Sequence, residues 1–213
     1  MSEPAPPALP SRLGEGCWVF PLAAAAGPEA ASRVLAARGR VLAAGVRALD
    51  VVPGLTSLGV HFDPAATDPE ALRAAVEAAL NEPADPPEAE RAARREHTLP
   101  TRFDGPDLAP VAERAGLPAA RAVGVFVAPA YTVGAVGFLP HFPYLLGLDP
   151  RLVTPRRGSP RTRVPAGSVA IGSDLAGVYP RESPGGWNLI GTTDPGLLKA
   201  VRPGDRVRFE AVR

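Results

Sequence analysis

The chain has 213 residues, and its 23 Lys and Arg nearly balance its 22 Asp and Glu, giving a formal net charge of +1. This balance gives no electrostatic basis for binding nucleic acid or an anionic membrane surface. The single cysteine, Cys17, excludes an internal disulfide and any metal site built from several cysteines. One thiol also fits a reducing compartment, so we expect a cytoplasmic protein.

No targeting or membrane segment is expected. The first residues, MSEPAPPALPSRLGEG, lack the basic and apolar regions of a signal peptide. No apolar run approaches the roughly 20 residues that a membrane-spanning helix needs. At this length the chain can hold two small domains, each with its own core.

The first part of the chain predicts a β-α-β-β-α order. The predicted elements are a strand at 17–20, a helix opened by Pro28, strands at 49–52 and 58–62, and a helix at about 69–80. Asp68 or Thr67 is expected to cap the second helix. This order favours a small ferredoxin-like layer of two helices on an antiparallel sheet.

The composition changes at 81–96, NEPADPPEAERAARRE, where proline and charged residues replace apolar ones. We place a domain boundary here and divide the chain into 1–85 and 86–213. The second part begins with a predicted strand at 99–103, after which Asp107 is expected to cap a short helix.

The stretch 137–191 is interrupted throughout by proline and glycine, so no long helix is expected in it. Short apolar runs such as 168–171 and 188–190 predict strands joined by turns, which is the pattern of a compact β-barrel or sandwich. A disordered low-complexity loop is the alternative. It is disfavoured by residues that can build a core, namely Phe138, Phe142, Tyr144, Leu145, Leu146, Tyr179 and Trp187.

Several runs in this stretch form one ordered pattern. They read GF at 137–138, FPYL at 142–145, GLDPRL at 147–152, PRTRVPAGSV at 160–169 and SPGGW at 183–187. The pattern closely resembles the carboxyltransferase subdomain C/D family, well over about 97–211 and more loosely over the N-terminal part. The resemblance implies an α+β protein in which a small N-terminal α+β domain precedes a cyclophilin-like β-barrel.

The resemblance also implies a function. The family includes the B subunit of bacterial ATP-dependent 5-oxoprolinase, KipI-type inhibitors of histidine kinases and proteins called allophanate hydrolase subunit 1. The leading expectation is an accessory component of a complex that uses ATP to open 5-oxoproline to glutamate. Its partners would be a hydrolase resembling the A subunit of that complex and a carboxyltransferase protein resembling its C subunit, with ATP acting at the level of the complex.

Three other functions stay open at this point. The chain can be a protein-binding inhibitor of a sensor histidine kinase, an amidolyase-like carboxyltransferase fragment acting on carboxylated urea, or an inactive or specialised paralogue. The fold alone does not select among them.

Eight residues are candidates for a ligand or partner cleft: His141, Arg156, Arg161, Arg163, Ser183, Gly185, Gly186 and Trp187. The arginines lie on predicted turns, where their planar forks can bind carboxylates or phosphates, although they can also pair with acids of the fold. The paired glycines allow backbone N–H groups to converge on an anion. The tryptophan either walls the cleft or belongs to the core. The resemblance implies that this cleft faces the carboxyltransferase partner.

No catalytic residue is assigned from the sequence, and no metal site is expected because histidines at metal-ligand spacing are absent. Three positions depart from the family pattern in the polar side chain that the family usually carries there. Family members usually carry histidine, glutamine and arginine where this chain has Phe126, Leu175 and Thr192. They usually carry glycine where it has His141 and Ser173. Replacing polar side chains by apolar ones predicts lost or altered ligand chemistry.

Overall fold

The structure is a computed structural model, and it describes residues 9–82 and 94–212. These residues form two compact units, one ending at Arg94 and the other starting at Arg95. The boundary predicted between residues 85 and 86 lies outside the described residues. Within the described ranges, no helix is both long enough and apolar enough to cross a membrane.

The first unit is a four-stranded antiparallel sheet with two helices. Its elements are β1 (Ser11–Arg12), β2 (Cys17–Pro21), α1 (Pro28–Ala43), β3 (Asp50–Pro53), β4 (Ser57–His61) and α2 (Pro69–Asn81). The strands lie in the order β1-β2-β4-β3. From β2 onward the chain follows the predicted β-α-β-β-α order, while the ferredoxin-like assignment stays a prediction.

Local sequence signals account for the helices of this unit. Pro28 and Pro69 occupy the first turns of α1 and α2, where a missing N–H costs nothing. Asp68 caps α2 as predicted, because its carboxylate accepts a hydrogen bond of 3.0 Å from the N–H of Glu70. The apolar faces of the helices pack on the sheet, enclosing Phe20, Val34, Leu58, Val60 and Val76 among other residues.

The second unit is a closed β-barrel. Its elements are β5 (Glu96–Arg102), α3 (Leu108–Arg114), α4 (Ala119–Val127), β6 (Tyr131–Val136), β7 (Pro143–Leu146), β8 (Arg161–Val164), β9 (Ser168–Gly172), β10 (Leu175–Val178), β11 (Ser183–Gly185), β12 (Asn188–Thr193), β13 (Arg206–Ala211) and short 3-10 helices at Pro150–Leu152 and Pro195–Ala200. The barrel order is β10-β7-β6-β13-β5-β12-β9, while β8 and β11 form a separate two-stranded sheet. The predicted barrel is thereby confirmed.

Alternation along the strands separates the inside of the barrel from its outside. On β9, Val169 and Ile171 belong to the barrel core, and on β10, Ala176 and Val178 do. Their neighbours, including Gly172 of β9 and Gly177 of β10, therefore lie on the outer face. This outer face leaves room for large side chains from other segments to pack against the barrel wall.

Candidate functional site

A groove of about 320 Å³ opens on the outer face of the barrel. We call it the aromatic groove, because five of its lining residues are aromatic; the lining comprises Phe138, Phe142, Tyr144, Arg156, Arg157, Pro160, Tyr179, Pro184, Gly185, Gly186 and Trp187. Four of the eight candidate residues are among these. Arg156 belongs to the arginine-rich segment 151–163, which we call the arginine turn, and Gly185, Gly186 and Trp187 belong to the SPGGW motif. A larger hollow of about 620 Å³ lies beside Arg151, but none of the eight candidates lines it.

The indole of Trp187 forms part of the groove because two glycines make space for it. A Cβ atom added at Gly172 would lie 2.5 Å from the indole ring, and one at Gly177 would lie 2.9 Å from it. Real Cβ atoms do not approach so closely, so only glycine fits under the ring at Gly172. Trp187 is 5% exposed and lines the groove, while its role in binding a ligand stays a prediction.

Aromatic rings continue from Trp187 along the groove. Phe142 meets Trp187 edge to face at 5.5 Å between ring centroids, and Tyr144 meets it at 5.9 Å. Phe138, at the other end, contacts Phe142 at 5.6 Å. Edge-to-face contacts at these distances are favourable and hold the rings in fixed positions. The groove therefore has firm apolar walls.

Arg156 is the groove residue best placed to bind an anion. Its guanidinium lies 5.7 Å from the centre of the Trp187 ring, a cation–π distance. It has no ion pair or hydrogen bond to any residue in 9–82 or 94–212. Burial raises the pKa of the Tyr144 hydroxyl, while the nearby charge of Arg156 opposes this rise. The assignment of Arg156 to a ligand or partner cleft stays a prediction.

Arg161, by contrast, is held inside the fold by Asp107. Its Nη2 lies 2.8 Å from Asp107 Oδ1, and Nη1 of Arg157 lies 3.2 Å from the same oxygen. The other oxygen, Oδ2, accepts a hydrogen bond of 2.7 Å from the N–H of Leu189. Burial raises the pKa of Asp107, but these three donors outweigh it and hold the pKa below its ordinary value.

Asp107 occupies the N-cap position of α3 as predicted, but its side chain does not cap the helix. Its side chain makes no capping hydrogen bond to α3, and it is only 5% exposed. Instead, the carboxylate joins the start of α3 to the arginine turn and to β12. The long-range donors outcompeted the local backbone N–H groups because two of them carry a full positive charge.

Most remaining candidates lie away from the groove lining. Arg163 pairs with Glu182 at the surface at 2.6 Å, with side chains 76% and 50% exposed. His141 is exposed, and the hydroxyl of Ser183 is buried without a hydrogen-bond partner within the described part of the chain. For Arg161 and Arg163, pairing with acids of the fold is thus the arrangement observed.

Most of the sequence has a counterpart in a known protein family. The chain matches the model of the carboxyltransferase domain, subdomain C and D, over residues 10–203. The chain belongs to this family. The resemblance recognised in its motifs is confirmed.

Two curated members of the family are named as the B subunit of 5-oxoprolinase. The protein from Escherichia coli O157:H7 is 49% identical over 112 residues, covering 49% of this chain and 51% of the relative. The protein from Bacillus subtilis (strain 168) is 35% identical over 181 residues, covering 76% of this chain and 74% of the relative. The chain thus spans about half the length of the Escherichia coli protein.

A solved structure of the protein TTHA0988 has a similar fold. Its TM-score is 0.77 at 34% sequence identity, over 92% of this chain and 40% of that chain. The match includes nearly all of the present chain, so the mixed α/β architecture with a barrel is shared with that structure.

The three positions that depart from the family pattern do not line the aromatic groove. Phe126 is 1% exposed in the barrel core and lies 4.9 Å from Phe209 between ring centroids. Leu175 is buried on β10, on the same outer face as Gly177. Thr192 donates a hydrogen bond of 3.1 Å to Asp104. Leu175 is therefore the departure that shares a strand face with the groove floor.

The backbone conformation at positions 141 and 173 explains why family members usually have glycine there. His141 has φ of 68° and Ser173 has φ of 60°, both in the left-handed region that glycine adopts without strain. Ser173 is the first residue of a two-residue turn, since Gly172 pairs with Leu175 across β9 and β10. A positive φ at this turn position is the type II′ pattern, which favours glycine.

His141→Gly and Ser173→Gly should each raise the free energy of unfolding by about 1 kcal/mol. A left-handed residue with a side chain costs about 1–2 kcal/mol, part of which the greater freedom of glycine in the unfolded chain cancels. Urea unfolding of the two variants measures the change. Gly124→Ala in α4 is the control, because Gly124 is exposed, no atom lies within 4 Å of the added Cβ, and the helix propensity gain is of similar size. If neither glycine variant gains stability, the proposed backbone strain at positions 141 and 173 is contradicted.

Proposed function

We propose that this chain is an accessory component, of the B-subunit type, in an ATP-dependent 5-oxoprolinase complex, which opens 5-oxoproline to glutamate. The main support is its 35% identity over 181 residues to a Bacillus subtilis protein named as the B subunit of 5-oxoprolinase, covering about three quarters of both chains. In this proposal an A-type hydrolase and a C-type carboxyltransferase protein complete the assembly.

The composition of the aromatic groove supports an accessory role. Its lining has two arginines, two tyrosines and the backbone of a glycine pair, but no carboxylate and no histidine among the described residues. Because burial raises the pKa of Tyr144 and of Tyr179, neither hydroxyl is a ready base at neutral pH. Such a surface can bind and orient an anionic substrate, while proton transfer requires groups from another chain.

ATP cleavage belongs to the whole complex in this proposal, and no step of it is assigned to this chain. The groove is open to the surface, so a second chain can close it and bring the missing acid and base within reach. This division of labour makes activity depend on assembly.

The purified chain should show no ATP-dependent hydrolysis of 5-oxoproline by itself. Hydrolysis should appear when it is mixed with the A-type hydrolase and the C-type carboxyltransferase protein, because only the assembly holds a complete site. Release of glutamate and ADP measures the reaction, with each protein omitted in turn as a control. Turnover by the isolated chain would contradict the accessory role. An inactive mixture combined with lowered autophosphorylation of a sensor kinase would favour the kinase-inhibitor alternative.

A further inference from the structure

Among the described residues, one arginine of the arginine turn has no acidic partner. The other arginines between 151 and 163 are paired: Arg151 with Asp149, Arg157 and Arg161 with Asp107, and Arg163 with Glu182. Arg156 has no such partner among the described residues, and it lines a groove that contains no carboxylate. A guanidinium above an indole ring, with its N–H groups unused, is suited to bind a carboxylate through two parallel hydrogen bonds.

The guanidinium of Arg156 is supported by the Trp187 ring, which in turn packs against Gly172. One face of the Trp187 ring rests on Gly172, and Arg156 lies over the ring at a cation–π distance. The indole therefore acts as a platform that limits the motion of the guanidinium. Arg156 is exposed, and a donor that is restrained by contact with a ring loses less conformational entropy on binding an anion than a donor without such a contact.

The remaining walls suit a small flat ring. Tyr144 is partly exposed, and its hydroxyl has no hydrogen bond to any residue in the described ranges, so it can donate to a carbonyl oxygen. Phe138, which is 62% exposed, offers an apolar edge at the mouth. The volume of about 320 Å³ is at the lower end of the roughly 300–1,000 Å³ typical of ligand pockets, so it favours a small molecule over a nucleotide.

We infer that the aromatic groove binds 5-oxoproline directly, with its carboxylate on Arg156, its lactam carbonyl on the Tyr144 hydroxyl and its ring between Tyr144 and Phe138. The identity of the ligand rests on the proposed function. The geometry by itself favours a small ligand that carries a carboxylate and fits between aromatic side chains. In this arrangement the chain is the substrate-binding component of the complex.

Binding to the isolated, full-length chain tests this inference. Titration of 5-oxo-L-proline, followed by NMR shifts of the indole N–H groups, should show saturable binding to the wild type. Arg156→Gln should weaken it about 10- to 100-fold, because a hydrogen bond to a charged group is lost. 2-Pyrrolidinone, which has the lactam ring without the carboxylate, should bind no better to the wild type than to the variant. Arg208→Gln, which breaks a surface pair with Glu96, is the matched control and should bind normally.

The assembled complex separates this inference from the proposed function. If Arg156→Gln raises the KM for 5-oxoproline with kcat largely kept, both are supported. If the complex hydrolyses 5-oxoproline and Arg156→Gln leaves the KM unchanged, the groove is not the substrate site and the inference fails alone. If the isolated chain binds 5-oxoproline through Arg156 but the complex does not hydrolyse it, the proposed function fails and the binding site stands. Absence of saturable binding to the isolated wild-type chain overturns the inference.

Discussion

Replacing Asp107 by alanine should lower the free energy of unfolding by about 3–5 kcal/mol, the usual cost of removing one partner from a buried ion pair. Asp107 is 5% exposed and accepts from Arg157, Arg161 and the N–H of Leu189. Without the carboxylate, the partly buried guanidinium of Arg161 and a buried backbone N–H lose their acceptor. Chemical unfolding followed by circular dichroism measures the loss.

A surface pair supplies the control. Glu182→Ala breaks the ion pair with Arg163, whose side chains are largely exposed, and should cost no more than about 1 kcal/mol. Equal losses in the two variants would mean that the Asp107 contacts contribute no more than a solvated pair. The comparison therefore tests whether the burial of an ion pair, and not its mere presence, determines how much stability is lost when the pair is broken.

The same residue predicts a pH dependence. The pKa of Asp107 is lower in the folded protein than its ordinary value, so the folded state favours the ionised carboxylate. Its contribution is complete above the unfolded pKa of about 3.9 and is lost as the pH falls through the lower folded pKa. Below about pH 4, stability should therefore decline less steeply in Asp107→Asn than in the wild type.

Gly172→Ala should destabilise the protein by about 1–3 kcal/mol, the usual cost of overpacking a tight site. The new methyl group would lie 2.5 Å from the Trp187 ring, so the ring has to move off its platform. Arg156 rests on this ring and moves with it, and binding of 5-oxoproline should therefore weaken together with stability. Thermal unfolding and the NMR titration measure the two effects.

Gly158→Ala is the matched control for this substitution. It lies in the same arginine-rich segment, and no atom lies within 4 Å of the Cβ that it would gain. We expect its stability and its ligand binding to match the wild type. If Gly172→Ala also matches the wild type, the indole of Trp187 has room to shift, and its position on Gly172 does not determine ligand binding in the aromatic groove.

Strands of the barrel could be predicted from sequence because their signals are local, whereas the choice of a barrel over a sandwich came from the family resemblance. Proline and glycine interrupt short apolar runs, and 168–171 and 188–190 do become β9 and β12. The run 123–127 shows the limit of this method, since it lies in helix α4 although a short apolar run suits a strand equally well. Whether such a run forms a strand or a helix depends on the contacts it makes in the folded protein, and these are not visible in the run itself.

The roles of the arginines could not be predicted for a related reason. Arg156 and Arg161 are the same residue type on one segment, yet Arg161 meets an acid that precedes it by 54 residues and Arg156 does not. No local pattern contains this pairing. Asp107 was likewise assigned to the nearest helix, because sequence reasoning sees neighbouring donors first. The glycine pattern at 141 and 173 was visible, but only the φ angles explain it.

The order in which the strands are synthesised limits when the barrel can close. The last strand, β13, lies parallel to the first, β5, and six residue pairs join them, from Arg206 with Glu96 to Ala211 with Thr101. It also pairs with β6 on its other side. On a ribosome, both of these neighbours must wait with unpaired edges until β13 has emerged, and exposed edges invite pairing with other chains. A nascent chain paused before residue 206 should therefore depend on chaperones more than the finished protein does.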